Sequence, residues 1–188
     1  MQERIIQAAA QAINERGTKF TIDSVAQRLG ISKKTLYQYV VSKEDLIRLV
    51  VDTALEDVDR QQGEILQSDR SDLEKLAALL SLQPHRFGVI NDWIFDDLRH
   101  SCPEIWENVE KFRFHQTEIV VELLEAGKAS GEIRPVNSKV AAQALRGALR
   151  EMSDYAFLTS TNLTLQDAIA GCVDTLVYGL RASGGETC

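Results

Sequence analysis

Apolar residues recur three and four positions apart along most of this chain, and almost nowhere in strict alternation, so the pattern predicts helices rather than strands. Ile5, Ala9, Ala12 and Ile13 form one stripe, which Gly17 is placed to end. Two short helical segments follow, 22–29 and 33–40, parted by Gly30-Ile31-Ser32. Ser42 with Asp45 gives an S-x-x-D start signal for a fourth helix, with Leu46, Leu49, Val50 and Thr53 on its buried side and an expected end near Leu66. Beyond a polar loop at 68–71, helix is expected over 72–82, broken by Gln83-Pro84, and again over 87–100.

Pro103 suits the first position of a long helix carrying Ile105, Val109, Phe112, Gln116, Ile119 and Leu123 on one side, with Gly127 and Gly131 bracketing its end. Ile133-Arg134-Pro135 reads as a turn, after which Asn137 or Ser138 caps a helix bearing Ala141, Ala144, Leu145, Ala148 and Met152. Thr164 caps the last helix, which bears Leu165, Ile169, Cys172, Val173, Leu176 and Leu180, and Ser183-Gly184-Gly185 is expected to fray. The fold class expected is all-α, without internal repeats.

Composition sharpens this picture. At 188 residues and 44% hydrophobic, the chain can bury a core, which excludes wholesale disorder. No apolar run approaches the roughly 20 residues that cross a bilayer. Met1 leads directly into an amphipathic pattern, from which neither a secretory leader nor a basic arm ahead of the first helix is expected. Cys102, Cys172 and Cys188 are an odd number without CxxC spacing, as suits a reducing cytoplasm. A cytoplasmic protein is expected.

The net charge of -7 argues against nucleic acid only on average. Residues 1–50 hold eight Lys or Arg against five acids, a balance of +3, while the remaining 138 carry 13 basic and 23 acidic groups, a balance of -10. A basic head can meet phosphate whatever the body carries, because the local field governs docking.

The chemistry concentrates in residues 21–43, TIDSVAQRLGISKKTLYQYVVSK. Thr21 can cap the second helix, Val25, Ala26 and Leu29 face inward, and Gly30 allows the left-handed backbone that a tight inter-helix turn needs. Ile31 anchors the turn and Ser32 caps the third helix, whose clearly buried side chain is Leu36. Around Leu36 stand Lys33, Lys34, Thr35, Tyr37, Gln38 and Tyr39. Two cations, two phenols, a hydroxyl and an amide are groups that donate to phosphates and read base edges in a major groove. A small helical hairpin with a solvated charged face would show the same spacing.

Thr35-Leu36-Tyr37, the aromatic Tyr39 and Ser42-Lys43-Glu44-Asp45-Leu46, preceded by Thr21, Val25-Ala26 and Leu29-Gly30-Ile31-Ser32, resemble the signature of the TetR (tetracycline repressor) family of bacterial transcriptional regulators. The resemblance covers about the first quarter of the chain. It departs at Val40, where the family usually has Phe, and at Lys34, where Gly is common.

The resemblance implies an N-terminal three-helix helix-turn-helix domain, 1–45, and a C-terminal helical ligand-binding and dimerisation domain, 46–188. It implies that Thr21 meets phosphate, that Lys33, Thr35 and Gln38 make base or mixed contacts with Lys34 adding charge, and that Tyr37, Tyr39 and Lys43 hold the DNA backbone. The implied partners are double-stranded operator DNA, a small-molecule effector, and a second copy joined through the last two helices, which carry Ala141, Ala144, Gly147, Ala148, Ala168, Ala170 and Gly171. No membrane contact is implied.

A ligand cavity in the body would draw on Trp93, Trp106, Phe112, Arg113, His115, Met152 and Tyr155, with Asn91 and Asp92 as further polar groups. Core packing alone also accounts for these large side chains, together with Phe95, Phe114 and Phe157. His100, Cys102 and His115 lack the ligand count and spacing of a zinc site, and no catalytic triad or phosphate loop is present, so neither cofactor, metal nor enzymatic activity is expected. The function expected is a homodimeric repressor released from a palindromic operator by a small hydrophobic or aromatic ligand. The alternative is a DNA-bound protein that recruits a partner and has no effector.

Overall fold

The computed structural model describes residues 1–84 and 93–181, apart from the side chains of Tyr155 and Tyr178. The described residues are helical with no strand, and one isolated bridge joins Ile133 to Arg181. They form two compact units, Met1–Asp59 with Pro84–Glu110 and Arg60–Gln83 with Lys111–Cys188.

The first unit holds α1 (Gln2–Arg16), a 3-10 turn (Gly17–Lys19), α2 (Ile22–Leu29), α3 (Lys33–Leu36), the start of α4 (Lys43–Leu66), α6 (Trp93–Ser101) and the start of α7 (Pro103–Ser130). The stripe Ile5, Ala9, Ala12 and Ile13 is buried, as its spacing requires. Phe20, Val25, Leu36 and Leu46 join it, and Ile94, Leu98, Ile105 and Val109 complete the same cluster. Leu36 is fully buried. A side chain of that kind contributes about 2–3 kcal/mol by leaving water, and this helps to hold so short an element as α3 in place. Val40 is also buried, so the position where the family usually has Phe is filled by a smaller residue.

The second unit holds the rest of α4, then α5 (Asp72–Leu80), the rest of α7, α8 (Ser138–Met152), α9 (Tyr155–Thr161) and α10 (Leu165–Leu180). Its core is built on Leu76, Leu124, Ile133, Ala142 and Leu145. The starts are fixed by caps. Ser71 accepts from the Glu74 N–H in a reciprocal capping box, Asn137 accepts from Val140, and Thr164 accepts from Asp167.

The elements depart from the sequence pattern in places and meet it in others. Helix α3 ends at Leu36 and not at Val40, because the backbone tightens into i→i+3 bonds, Gln38 N–H to Thr35 at 3.2 Å and Tyr39 N–H to Leu36 at 2.9 Å. Helix α7 ends at Ser130, between Gly127 and Gly131 as expected, and so runs through Gly127. There the missing side chain lets Ile133 pack close, since a Cβ on Gly127 would lie 2.5 Å from Ile133 Cδ1. Helix α9, absent from the sequence reading, is capped by Asp154, which accepts from the Phe157 N–H at 2.9 Å, and ends on Asn162 in the left-handed region. The first part of the 87–100 segment, including Asn91 and Asp92, and the tail at 183–185 lie outside the described residues, as does the side chain of Tyr155.

Candidate nucleic-acid interface

Helices α2 and α3 are locked by their own termini. Thr21 Oγ accepts from Ser24 N–H at 3.1 Å while Ser24 Oγ accepts from Thr21 N–H at 3.3 Å, a reciprocal box that leaves the Thr21 hydroxyl proton free to donate outward. Gly30 adopts the left-handed conformation, φ 67°, and Ile31 N–H returns to Ala26 at 3.0 Å, so the chain turns sharply after α2. Ser32 Oγ then accepts from Thr35 N–H at 3.0 Å and pairs with the Thr35 hydroxyl at 2.8 Å. The second half of the motif closes the same way. Ser42 Oγ accepts from Asp45 N–H, and Asp45 Oδ2 accepts from Val41 N–H at 2.9 Å, which starts α4 at Lys43.

These constraints bury Leu36 and Val40 and turn the intervening side chains outward. Thr21, Lys33, Lys34, Tyr37, Gln38 and Tyr39 are all exposed, and Thr35 and Lys43 are half-buried. Tyr37 and Tyr39 are 46% and 44% exposed, a large area for phenols that no apolar core claims, and one suited to lie against a sugar-phosphate backbone. Lys43 Nζ stands 5.2 Å from the centre of the Phe20 ring, a cation–π contact that holds the ammonium at the start of α4.

The ion pairs sort the cations of this surface. Arg28 is turned back onto α1, with Nη2 2.6 Å from Glu15 and Nη1 donating to Gln11 at 3.2 Å. The Arg28 hydrogen bond holds the Glu15 carboxyl below its usual range, against slight burial. Lys33 Nζ lies 2.8 Å from Asp23 Oδ2, and that hydrogen bond raises the lysine pKa. Lys34 has no ion pair among the described residues. The residue pattern sets Lys33 among the base or mixed contacts and Lys34 as added charge, and it does not announce the ion pairs of Lys33 with Asp23 and of Arg28 with Glu15. The partners lie ten and thirteen residues away on other helices, so no helical spacing relates them.

The residues proposed for a ligand cavity are divided between the units. Trp93 and Trp106 are half-buried against the first core. Phe112, Arg113 and Met152 are half-buried in the second unit, while His115 is exposed and pairs with Glu118 at 3.2 Å. His100 is exposed, its Nδ1 2.7 Å from the Asp96 carbonyl oxygen, and Cys102 is half-buried among apolar neighbours, where burial raises its thiol pKa. None of these lines the groove of about 430 Å³ between α8 and α10, which is walled by Val136, Val140, Ala144, Leu145, Leu176 and Leu180.

Residues 5–50 match the family described as bacterial regulatory proteins, tetR family. The chain is similar to the uncharacterized HTH-type transcriptional regulator YvaF of Bacillus subtilis (strain 168), 26% identical over 183 residues, 97% of this chain and 96% of that protein. It is similar to the HTH-type transcriptional repressor KstR2 of Mycolicibacterium smegmatis, 28% identical over 139 residues, 71% of this chain and 68% of that one. Its fold resembles the crystal structure of the transcriptional regulator FadR from Bacillus subtilis in complex with stearoyl-CoA, with a TM-score of 0.68 at 22% identity, covering 95% of this chain and 98% of that one.

Proposed function

We propose, from the match of residues 5–50 to the tetR family of bacterial regulatory proteins, that the chain is a homodimeric, cytoplasmic repressor that leaves a palindromic operator when a small apolar ligand binds. The observation that carries this reading is the ring of exposed donors, Lys33, Lys34, Tyr37, Gln38 and Tyr39, held around the buried Leu36. In this reading the side chains of α3 enter the major groove, Thr21 donates its hydroxyl proton to a phosphate, and Tyr37, Tyr39 and Lys43 grip the backbone. The chain acts by binding and not by catalysis.

Two further observations support the finer parts. The α8–α10 groove is walled by apolar and small side chains, and Val140 on its rim is 65% exposed, as suits a face covered by the same face of a second copy. A two-fold dimer would set its two reading heads about one helical turn, roughly 34 Å, apart along DNA. The similar fold of a regulator holding stearoyl-CoA supports an apolar effector, for which the half-buried Phe112, Arg113 and Met152 are the contacts we propose in the second unit. The effector can release DNA only by binding one conformation of the dimer more tightly than the other.

Fluorescence-anisotropy titration against DNA from upstream of its own gene tests the reading. The expected result is saturable binding of two subunits per site, at least about 10³-fold tighter than to scrambled DNA and weakening as salt rises. Weak binding to that DNA and to fragments selected genome-wide would overturn it. Tight binding that no acyl-CoA, fatty acid or aromatic compound releases would point instead to an effector-free protein that recruits a partner.

A further inference from the structure

The cations of the reading surface are not equally available. Among the described residues Lys34 pairs with no acid, but Lys33, at the first turn of α3, is engaged by a carboxylate from α2 at 2.8 Å. Both side chains are more than half exposed, at 51% and 65%, so burial does not explain the pair. Asp23 stands two residues after Thr21, the cap assigned to phosphate, and an acid there lies on the same surface as the groups that dock DNA. An exposed ion pair is weak, and a phosphate oxygen offers Lys33 the same charge-assisted hydrogen bond that Asp23 does. We propose that Asp23 is a specificity-determining residue: it holds Lys33 away from phosphates on unmatched DNA and releases it only when α3 is seated in a matched groove. This rests on the DNA-binding reading given above.

The physical logic is competition. Each phosphate neutralised by a lysine releases counterions, and this sequence-independent gain makes up most of non-specific binding. A lysine already paired within the protein contributes less of it, because the Asp23 pair must first be broken. On the matched sequence the remaining contacts of α3 fix the register, and Lys33 exchanges its partner in a position where it also reaches a base edge. Asp23 therefore lowers affinity for random DNA more than affinity for the operator, and the ratio of the two rises.

The test uses the full-length protein, a random-sequence 24-base-pair duplex and a duplex selected by the protein from a random pool, titrated by anisotropy between about 50 and 200 mM salt. Asp23→Asn is expected to bind the random duplex about threefold to tenfold more tightly, to steepen the slope of log affinity against log salt by about 0.9, and to gain less on the selected duplex. Combined with Lys33→Gln, the substitution is expected to change nothing, because its effect passes through the lysine. Thermal melting of each variant shows that the fold is kept. An unchanged slope in Asp23→Asn, or an equal gain in the Lys33→Gln background, would overturn the proposal and assign Asp23 simple repulsion of phosphate or no role. Wild-type protein that shows no salt-dependent binding to either duplex would overturn the DNA-binding reading as well.

Discussion

Asp97 accepts two hydrogen bonds from Thr18, one from its backbone N–H at 2.5 Å and one from its hydroxyl at 3.2 Å, across a sequence separation of 79 residues. The contact fastens α6 to the turn that carries α1 into α2, and Ser101 Oγ donates to the same carboxylate at 3.1 Å. It depends on Gly17, which has φ 58° and ψ -148°, a region that side chains rarely occupy. A Cβ there would collide with Asp97 Oδ2 and lie 2.5 Å from the Trp93 ring. Gly17→Ala should therefore cost about 2–3 kcal/mol, from backbone strain and the displaced α6 together. Asp97→Ala, which leaves the buried Thr18 N–H without its acceptor, should cost about 1–3 kcal/mol. Urea unfolding curves check both, and midpoints equal to wild type would show that the turn is not held in this way.

Leu36→Ala should remove about 2–5 kcal/mol, since it empties a fully buried position to which α3 is anchored. Below the unfolding transition the variant should also lose ordered DNA binding, because the donors on either side of Leu36 are positioned by it. Circular dichroism and anisotropy on the same sample separate the two effects.

The exposed side chains of α3 should behave in the opposite way. Lys34→Ala should leave the melting temperature within error and reduce the salt slope of DNA binding by about 0.9, the share of one phosphate contact. Lys33→Ala combined with Tyr37→Phe should weaken binding by roughly 1–3 kcal/mol with the fold intact. Unchanged affinity in the double variant would mean that DNA does not dock on this face.

Asp52, in the first unit, contributes in the unfavourable direction. Burial of its carboxyl raises the pKa above the ordinary 3.8, with Arg48 opposing and Glu56 adding to the rise. The folded chain then keeps this proton where the unfolded chain has lost it, so the stability share of Asp52 falls as pH climbs from near 3.8 through the folded value. Asp52→Asn should remove that fall and be more stable than wild type at pH 7. Denaturant titrations at stepped pH decide it, and a variant no more stable at pH 7 would show that the carboxylate is fully solvated.

The dimer proposed through α8 and α10 is addressed at its rim. Val140→Glu puts a charge on an exposed position and should not disturb the single chain, yet it should prevent two copies from closing over the groove. In analytical ultracentrifugation, wild type should sediment at twice the 21.0 kDa chain mass and the variant at the chain mass. A variant that remains a dimer would exclude this face as the contact.

Much of the fold was legible because short-range chemistry announces it. Thr21, Ser32, Ser42, Asn137 and Thr164 each mark a helix start in the sequence, and each side chain caps the helix that follows it. What was missed had competing local signals or none. Gly127 and Gly131 do bracket the end of α7, but the space that Gly127 leaves for Ile133 is a requirement set six residues later that no local signal announces. Helix α9 is short and rich in Ser and Thr, yet Asp154 and Asn162 were signals at both of its ends. The exposure of Lys33, Lys34, Tyr37, Gln38 and Tyr39 around Leu36 was legible from residue type alone. The acids that engage them were not, because Asp23–Lys33 and Glu15–Arg28 are set by how helices cross and not by any period along one helix.

Helix α3 is four residues long and owes its shape to Leu36 behind it, Ser32 before it and the turn after it. Its outer side chains therefore contribute almost nothing to whether the chain folds. Substitutions at 33, 34, 37 and 38 should accumulate with little loss of stability, so that, with DNA docked on this face as proposed, the preferred DNA sequence is free to drift while the surrounding framework stays fixed.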